Sequence, residues 1–65
     1  MRTLKNTITE LWHISRTALA TQSFTRYDRM IYIKKSLLEF YPEFVKGMSG
    51  KQIWFAIEDQ LNINL

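Results

Sequence analysis

The 65-residue chain contains no cysteine and one histidine. Without cysteine, the fold has neither a disulfide framework nor a cysteine-based zinc site to stabilise it. One histidine excludes zinc motifs that need two, such as H-E-x-x-H. No apolar run reaches the length of about 18 residues that a transmembrane helix requires, so we expect no membrane span.

The N-terminal residues also lack the apolar segment that follows the basic residues of a secretory signal peptide. Together with the absence of cysteine, which suits a reducing compartment, this favours a cytoplasmic location. Residues 1–26 are rich in serine and threonine and hold four basic residues against one acidic residue, a composition found in transit peptides. The same stretch has the spacing of an amphipathic helix, which is the interpretation we adopt.

Proline and glycine are scarce, and all three of these residues lie within positions 41–50. Because they interrupt regular structure, long helices are expected elsewhere. Apolar residues make up 46% of the chain and aromatic residues 14%, too many for a disordered chain of modest net charge. The apolar spacing predicts one all-α domain over residues 1–65, a small three-helix bundle with helices at about 4–20, 26–40 and 50–62.

Local signals mark the starts of the second and third helices. Thr25 and Asp28 have the spacing of a capping box, in which each residue satisfies a free backbone amide of the other. Ser49 and Gln52 repeat this spacing before the third helix.

Two segments allow more than one interpretation. Pro42 either ends the second helix or begins a short extra helical turn at 43–46, with Gly47 as its stop. Residues 30–33 have the composition of a strand, but helical spacing continues through residue 39 and favours a helix.

The second predicted helix carries apolar side chains over about half of its circumference. A helix of this kind packs between two neighbours, or between one neighbour and a second subunit. Its two adjoining stripes are Met30, Ile33, Leu37 and Phe40, and Tyr27, Ile31, Leu38 and Tyr41.

Charge is distributed unevenly along the chain. Residues 1–35 hold seven basic and two acidic residues, whereas residues 36–65 hold two basic and four acidic residues. This uneven charge indicates one of two things. Either the basic half binds an acidic partner, nucleic acid included, or the basic and acidic halves attract each other within one fold or between subunits. The candidate nucleic-acid-binding residues are Arg16, Arg26, Arg29, Lys34 and Lys35.

Two observations oppose the nucleic-acid interpretation. At 100° per residue the basic side chains of the second helix scatter around its axis instead of forming one stripe. The last helix, which would be the recognition helix of a helix-turn-helix, carries Glu58 and Asp59, and these repel phosphate.

Catalytic and ligand-binding motifs are weak. His13, with Glu10 and Arg16 near it on one helical face, is the single candidate general base. We interpret these three residues as ordinary exposed polar side chains on a helix surface and not as a catalytic site. The segment at 47–51 departs from the phosphate loop G-x-x-x-x-G-K-[ST] in glycine spacing and lacks the hydroxyl. A weaker anion-binding site at Ser49, Gly50 and Lys51 stays open as a hypothesis. We expect no enzyme activity, no metal and no cofactor.

The nine aromatic residues cannot all be buried in so small a domain, which hides only about 60% of its chain surface on folding. Aromatic and methionine side chains that stay exposed are typical of the centres of protein interfaces. These candidate partner-binding residues are Tyr32, Phe44, Met48 and Phe55.

The favoured function is a small non-enzymatic protein-interaction module, such as an adaptor, inhibitor or assembly factor. Its exposed aromatic and apolar residues would bind a protein partner or a second copy of the chain, and basic residues would steer an acidic partner towards it. The alternative is a small nucleic-acid-binding regulator that uses the basic N-terminal half.

Overall fold

The computed structural model of the protein describes residues 1–18 and 24–64. It confirms the all-α three-helix bundle, with α1 at Leu4–Ala18, α2 at Arg26–Phe40 and α3 at Gly50–Asn64. No strand occurs in the described part of the chain, so the strand interpretation of residues 30–33 is wrong. The predicted last residues of the first helix, 19–20, lie outside the described residues.

Both predicted capping boxes are present. The hydroxyl of Thr25 accepts a hydrogen bond from the backbone amide of Asp28, whose carboxylate accepts one from the amide of Thr25 at 3.1 Å. Ser49 and Gln52 make the same reciprocal pair, at 3.2 and 2.9 Å. These side chains fix the first residues of α2 and α3, because they satisfy amides that have no partner within the helix.

The connection from α2 to α3 is short and ordered by backbone hydrogen bonds. Its extra turn is a 3₁₀-helix at Pro42–Phe44, which begins one residue earlier and ends two residues earlier than the predicted 43–46. Proline occupies the first position of this turn, where its missing amide costs nothing. Gly47 follows with a φ of 81°, which an L side chain rarely adopts, and this reverses the chain into α3.

The core draws on all three helices and on the connection. Ile33 and Leu37 of α2 and Ile57 of α3 are fully buried, with none of their surface exposed. The three helices all pack against one another, and α2 therefore lies between two neighbours, as its apolar surface predicts. The buried apolar residues are Ile8, Leu11, Met30, Ile33, Leu37, Val45, Ile53, Ile57 and Leu61.

Arg29 joins α2 to α1 through one compact set of contacts. Its guanidinium lies over the ring of Trp12, 3.5 Å from the centroid. It also donates hydrogen bonds to the backbone carbonyl of Trp12 at 2.7 Å and to the hydroxyl of Ser15 at 2.8 Å. Removal from water lowers the pKa of Arg29, and the charge of Arg16 lowers it further. Arg29 is therefore a structural residue of the α1–α2 interface.

We expect Arg29→Ala to lower the free energy of unfolding by about 2 kcal/mol, because the variant loses a cation–π contact and two charge-assisted hydrogen bonds. Arg29→Lys keeps the charge but not the planar fork, so it should recover only part of this loss. Urea denaturation followed by circular dichroism measures both variants.

Arg26→Ala is the matched control, since Arg26 is exposed and bonds Asn62 at 2.9 Å on the surface. Its effect should stay below about 0.5 kcal/mol. Equal losses from Arg26→Ala and Arg29→Ala would contradict the structural role of Arg29.

Candidate binding groove

A groove of about 420 Å³ lies between α2 and α3. Tyr27, Ile31 and Leu38 form its α2 wall, and Trp54 faces them from α3. The rings of Tyr27 and Trp54 are in contact, with centroids 5.2 Å apart and planes inclined at 56°. Tyr27 is 62% exposed and Leu38 is 51% exposed, so this apolar wall is open to water.

The groove follows from the two stripes of α2. Met30, Ile33 and Leu37 of the first stripe are buried in the core. The second stripe lies beside it on the helix, and three of its four members therefore emerge along the edge of α3. One wall of the groove is thus encoded by the half-apolar pattern of α2.

Two aromatic residues lie at the edge of the core. The helical spacing of Ile53, Trp54, Ile57 and Leu61 predicts an inner face of α3, and Trp54 does pack against the core, but it is half-buried and also lines the groove. Phe40 continues the first stripe of α2 but is 67% exposed, because α2 ends there and the chain turns away at Tyr41. Trp54 is therefore only partly interior, and Phe40 is not interior.

Three lysines surround the apolar wall: Lys34, Lys35 and Lys51. The ammonium of Lys34 lies over the first residue of α3, where a Cβ added to Gly50 would be 3.1 Å from Nζ. In residues 1–18 and 24–64 the one ion pair joins Arg2 to Glu10, at 2.7 Å, so none of these lysines is neutralised by a carboxylate. The groove therefore combines an apolar wall with a rim of three lysines that form no ion pair.

The predicted partner-binding residues lie elsewhere. Tyr32 and Met48 are half-buried and pack against the core, and half-buried Phe44 stacks on Tyr41 with centroids 6.0 Å apart. Phe55 is the one member that is exposed as expected, at 54%. The apolar and aromatic side chains of the groove, Tyr27, Ile31, Leu38 and Trp54, were not among the predicted site residues, although the second stripe of α2 contained three of them. Lys34, Lys35, Gly50 and Lys51 also line the groove, but they were predicted for nucleic-acid or anion binding.

The predicted nucleic-acid-binding residues are divided between two flanks of α2. Arg29 is held against α1 by Trp12 and Ser15 and is close enough to Arg16 for the two charges to interact. Lys34 and Lys35 instead line the groove beside α3. Arg26 hydrogen-bonds Asn62 near the end of α3. The five residues therefore do not form one basic surface.

The predicted polar sites have local partners. Glu10 binds Arg2 and raises the pKa of that guanidinium, chiefly through the hydrogen bond, so Glu10 is committed to a residue other than exposed His13. At the hypothetical anion site, the capping box already uses the amides of Ser49 and Gln52, while Gly50 and Lys51 line the groove. Anion binding there stays a prediction.

Within the described residues, no group of three histidine or acidic side chains is placed to hold a metal ion. A second, smaller groove of about 290 Å³ separates α1 from α3. It is lined by Leu4, Lys5, Ile8, Ala56, Asp59, Gln60 and Ile63, and its one lysine is balanced by one aspartate.

Comparison with protein-family models, with curated protein sequences and with solved structures gives no match to this chain. Within residues 1–18 and 24–64, no helix combines the length and the apolar content that crossing a membrane requires. The properties of the groove are therefore the basis for a functional proposal.

Neighbouring leucines of α2 test whether the groove wall is dispensable for folding. Leu37→Ala should lower the free energy of unfolding by about 3 kcal/mol, since it leaves a cavity in the core. That is most of the stability expected for a domain of this length. Leu38→Gln should change it by less than about 0.5 kcal/mol, because the side chain is half exposed and the helix propensities are similar. Urea denaturation of both variants measures the difference, and a similar loss from each would show that the groove wall belongs to the core.

Proposed function

We propose that the protein is a non-enzymatic protein-interaction module, an adaptor, inhibitor or assembly factor, whose binding surface is the groove between α2 and α3. The observation that carries the proposal is the apolar wall of Tyr27, Ile31 and Leu38, which remains open to water beside a complete core. Scattered exposed apolar residues are normal, but a continuous set in a concave surface is typical of binding sites.

The energetics favour an apolar partner in this groove. Tyr27 and Leu38 keep more than half of their surface in water, so covering each of them should contribute about 1 kcal/mol or more. Tyrosine and tryptophan are also the residues that most often dominate binding energy at interfaces, because they bury a large area with few rotatable bonds. The pair Tyr27–Trp54 is therefore the expected centre of the interface.

The polar groups support a binding role over a catalytic one. The side chains described as lining the groove include three lysines but neither a carboxylate nor a histidine that could act as a general base. His13 is exposed on α1, and its neighbour Glu10 is bound by Arg2.

Self-association through apolar surface is part of the same proposal, because a second copy is itself a protein partner. Phe55 on α3 is a further exposed aromatic residue that a second copy would cover. Sedimentation equilibrium over a range of protein concentrations measures the molar mass and determines whether the partner is a second copy.

The double variant Tyr27→Gln/Leu38→Gln tests the groove, and Phe40→Gln is the matched control on the same helix. Immobilised wild-type protein and both variants are exposed to an extract of the source cells, and the retained proteins are quantified by mass spectrometry. We expect the double variant to lose retained partners, or the dimer, by at least about tenfold, which corresponds to 1.4 kcal/mol.

Phe40→Gln should bind as the wild type does, since Phe40 lies outside the groove. Equal retention by the wild type and the double variant would refute the groove as the binding surface. Thermal unfolding of each variant confirms beforehand that the fold is intact.

A further inference from the structure

We propose that the groove binds an acidic amphipathic helix of a partner protein, with an apolar anchor at Tyr27 and Trp54 and carboxylates against Lys34, Lys35 and Lys51. The inference rests on the proposed function and adds the chemistry of the partner. It is argued from the shape of the groove, from the charges on its rim and from the distance between its aromatic pair and its lysines.

The shape of the groove suits a helix. Its α2 wall extends from Tyr27 to Leu38, eleven residues along the helix, which is about 16 Å at 1.5 Å per residue. A partner helix of about three turns has the same length. The exposed stripe of α2 and the facing side of α3 form two ridges, and a helix of the partner can pack between them.

The charges on the rim select an acidic partner. Lys34 places its ammonium over the first turn of α3, where the helix dipole is already positive, and Lys51 belongs to the same turn. Lys35 lies one residue further along α2 on the same groove. These like charges repel one another, and carboxylates of a partner relieve the repulsion while a neutral or basic partner does not.

The aromatic pair and the lysines lie at different places along the groove, and this fixes a spacing in the partner. Lys34 follows Tyr27 by seven residues, about 10 Å along α2, and Lys51 precedes Trp54 by three residues, about 4.5 Å along α3. A bound helix should therefore carry its bulky apolar anchor about one to two turns away from its acidic residues.

The same observations disfavour a nucleic acid in this groove. The rings of Tyr27 and Trp54 are inclined at 56° to each other, so they do not form a parallel pair of faces between which a base could insert. Arg29, whose fork suits phosphate, is bound to Trp12 and Ser15 on the other flank of α2.

Display of a random peptide library tests the proposal directly, because the selection does not require an identified partner. Peptides of about 16 residues, long enough for four helical turns, are selected on the wild-type protein and counter-selected on Tyr27→Gln/Leu38→Gln. We expect the survivors to be enriched in aspartate and glutamate and to carry an aromatic or leucine residue about one to two turns from the acidic cluster.

A synthesised survivor then maps the site. In ¹H–¹⁵N spectra the indole N–H of Trp54 should shift on binding, whereas that of Trp12, which lies beneath Arg29 away from the groove, should not. The variant Lys34→Gln/Lys35→Gln/Lys51→Gln should bind the peptide about tenfold more weakly, as expected for the loss of three exposed ion pairs. Lys46→Gln, an exposed lysine outside the groove, is the control and should bind normally.

The outcomes separate the two proposals. If no peptide depends on Tyr27 and Leu38, the groove is not a protein-binding site and the proposed function fails. If selected peptides depend on the groove but are neutral or basic, or are insensitive to the lysine substitutions, the acidic partner is refuted and the groove stands. A shift of Trp54 by single-stranded DNA or by phosphatidylserine vesicles, without peptide binding, would overturn both.

Discussion

The bundle depends on a limit of space around α2. This helix is apolar over about half of its surface, but the other two helices cover mainly one of its two stripes. Ile33 and Leu37 of that stripe are completely buried and belong to one core cluster with side chains of α1 and α3. With no disulfide and no metal site among the described residues, this single small core provides most of the stability. Three of the four residues of the second stripe line the groove between α2 and α3 instead.

Polar contacts add stability that the small apolar core does not provide. The capping boxes of Thr25 and Ser49 set where α2 and α3 begin, and Arg29 fastens α2 to the threonine-rich and therefore weakly helical α1. Arg29 is thus one basic residue of the chain whose guanidinium is already engaged by contacts within the fold. The positive charge at the groove comes instead from Lys34, Lys35 and Lys51. The long apolar stems of these lysines can lie along the apolar wall while their charged ends stay in water.

Much of the fold could be predicted from the sequence, because it depends on local signals. The two capping boxes, the clustering of proline and glycine and the apolar spacing gave the start of each helix to the residue. Side-chain exposure was harder to predict, as Trp54 and Phe40 show. A helical projection gives the direction of a side chain but neither the width of the neighbouring helix nor the point where the core ends. The meeting of Lys34 with Gly50 could not be predicted either, since it depends on how two helices distant in sequence are placed side by side.

The separation of the two stripes has a consequence for how such a protein changes over time. On the proposed function, stability and recognition are encoded by different residues of the same helix: Leu37 is buried in the core, whereas the adjacent Leu38 lines the groove. Substitutions at positions 27, 31, 34, 35 and 38 can therefore alter partner preference while the interior stays the same. A 65-residue chain has little stability to lose, so this independence allows specificity to diverge among duplicated copies without passing through unfolded intermediates.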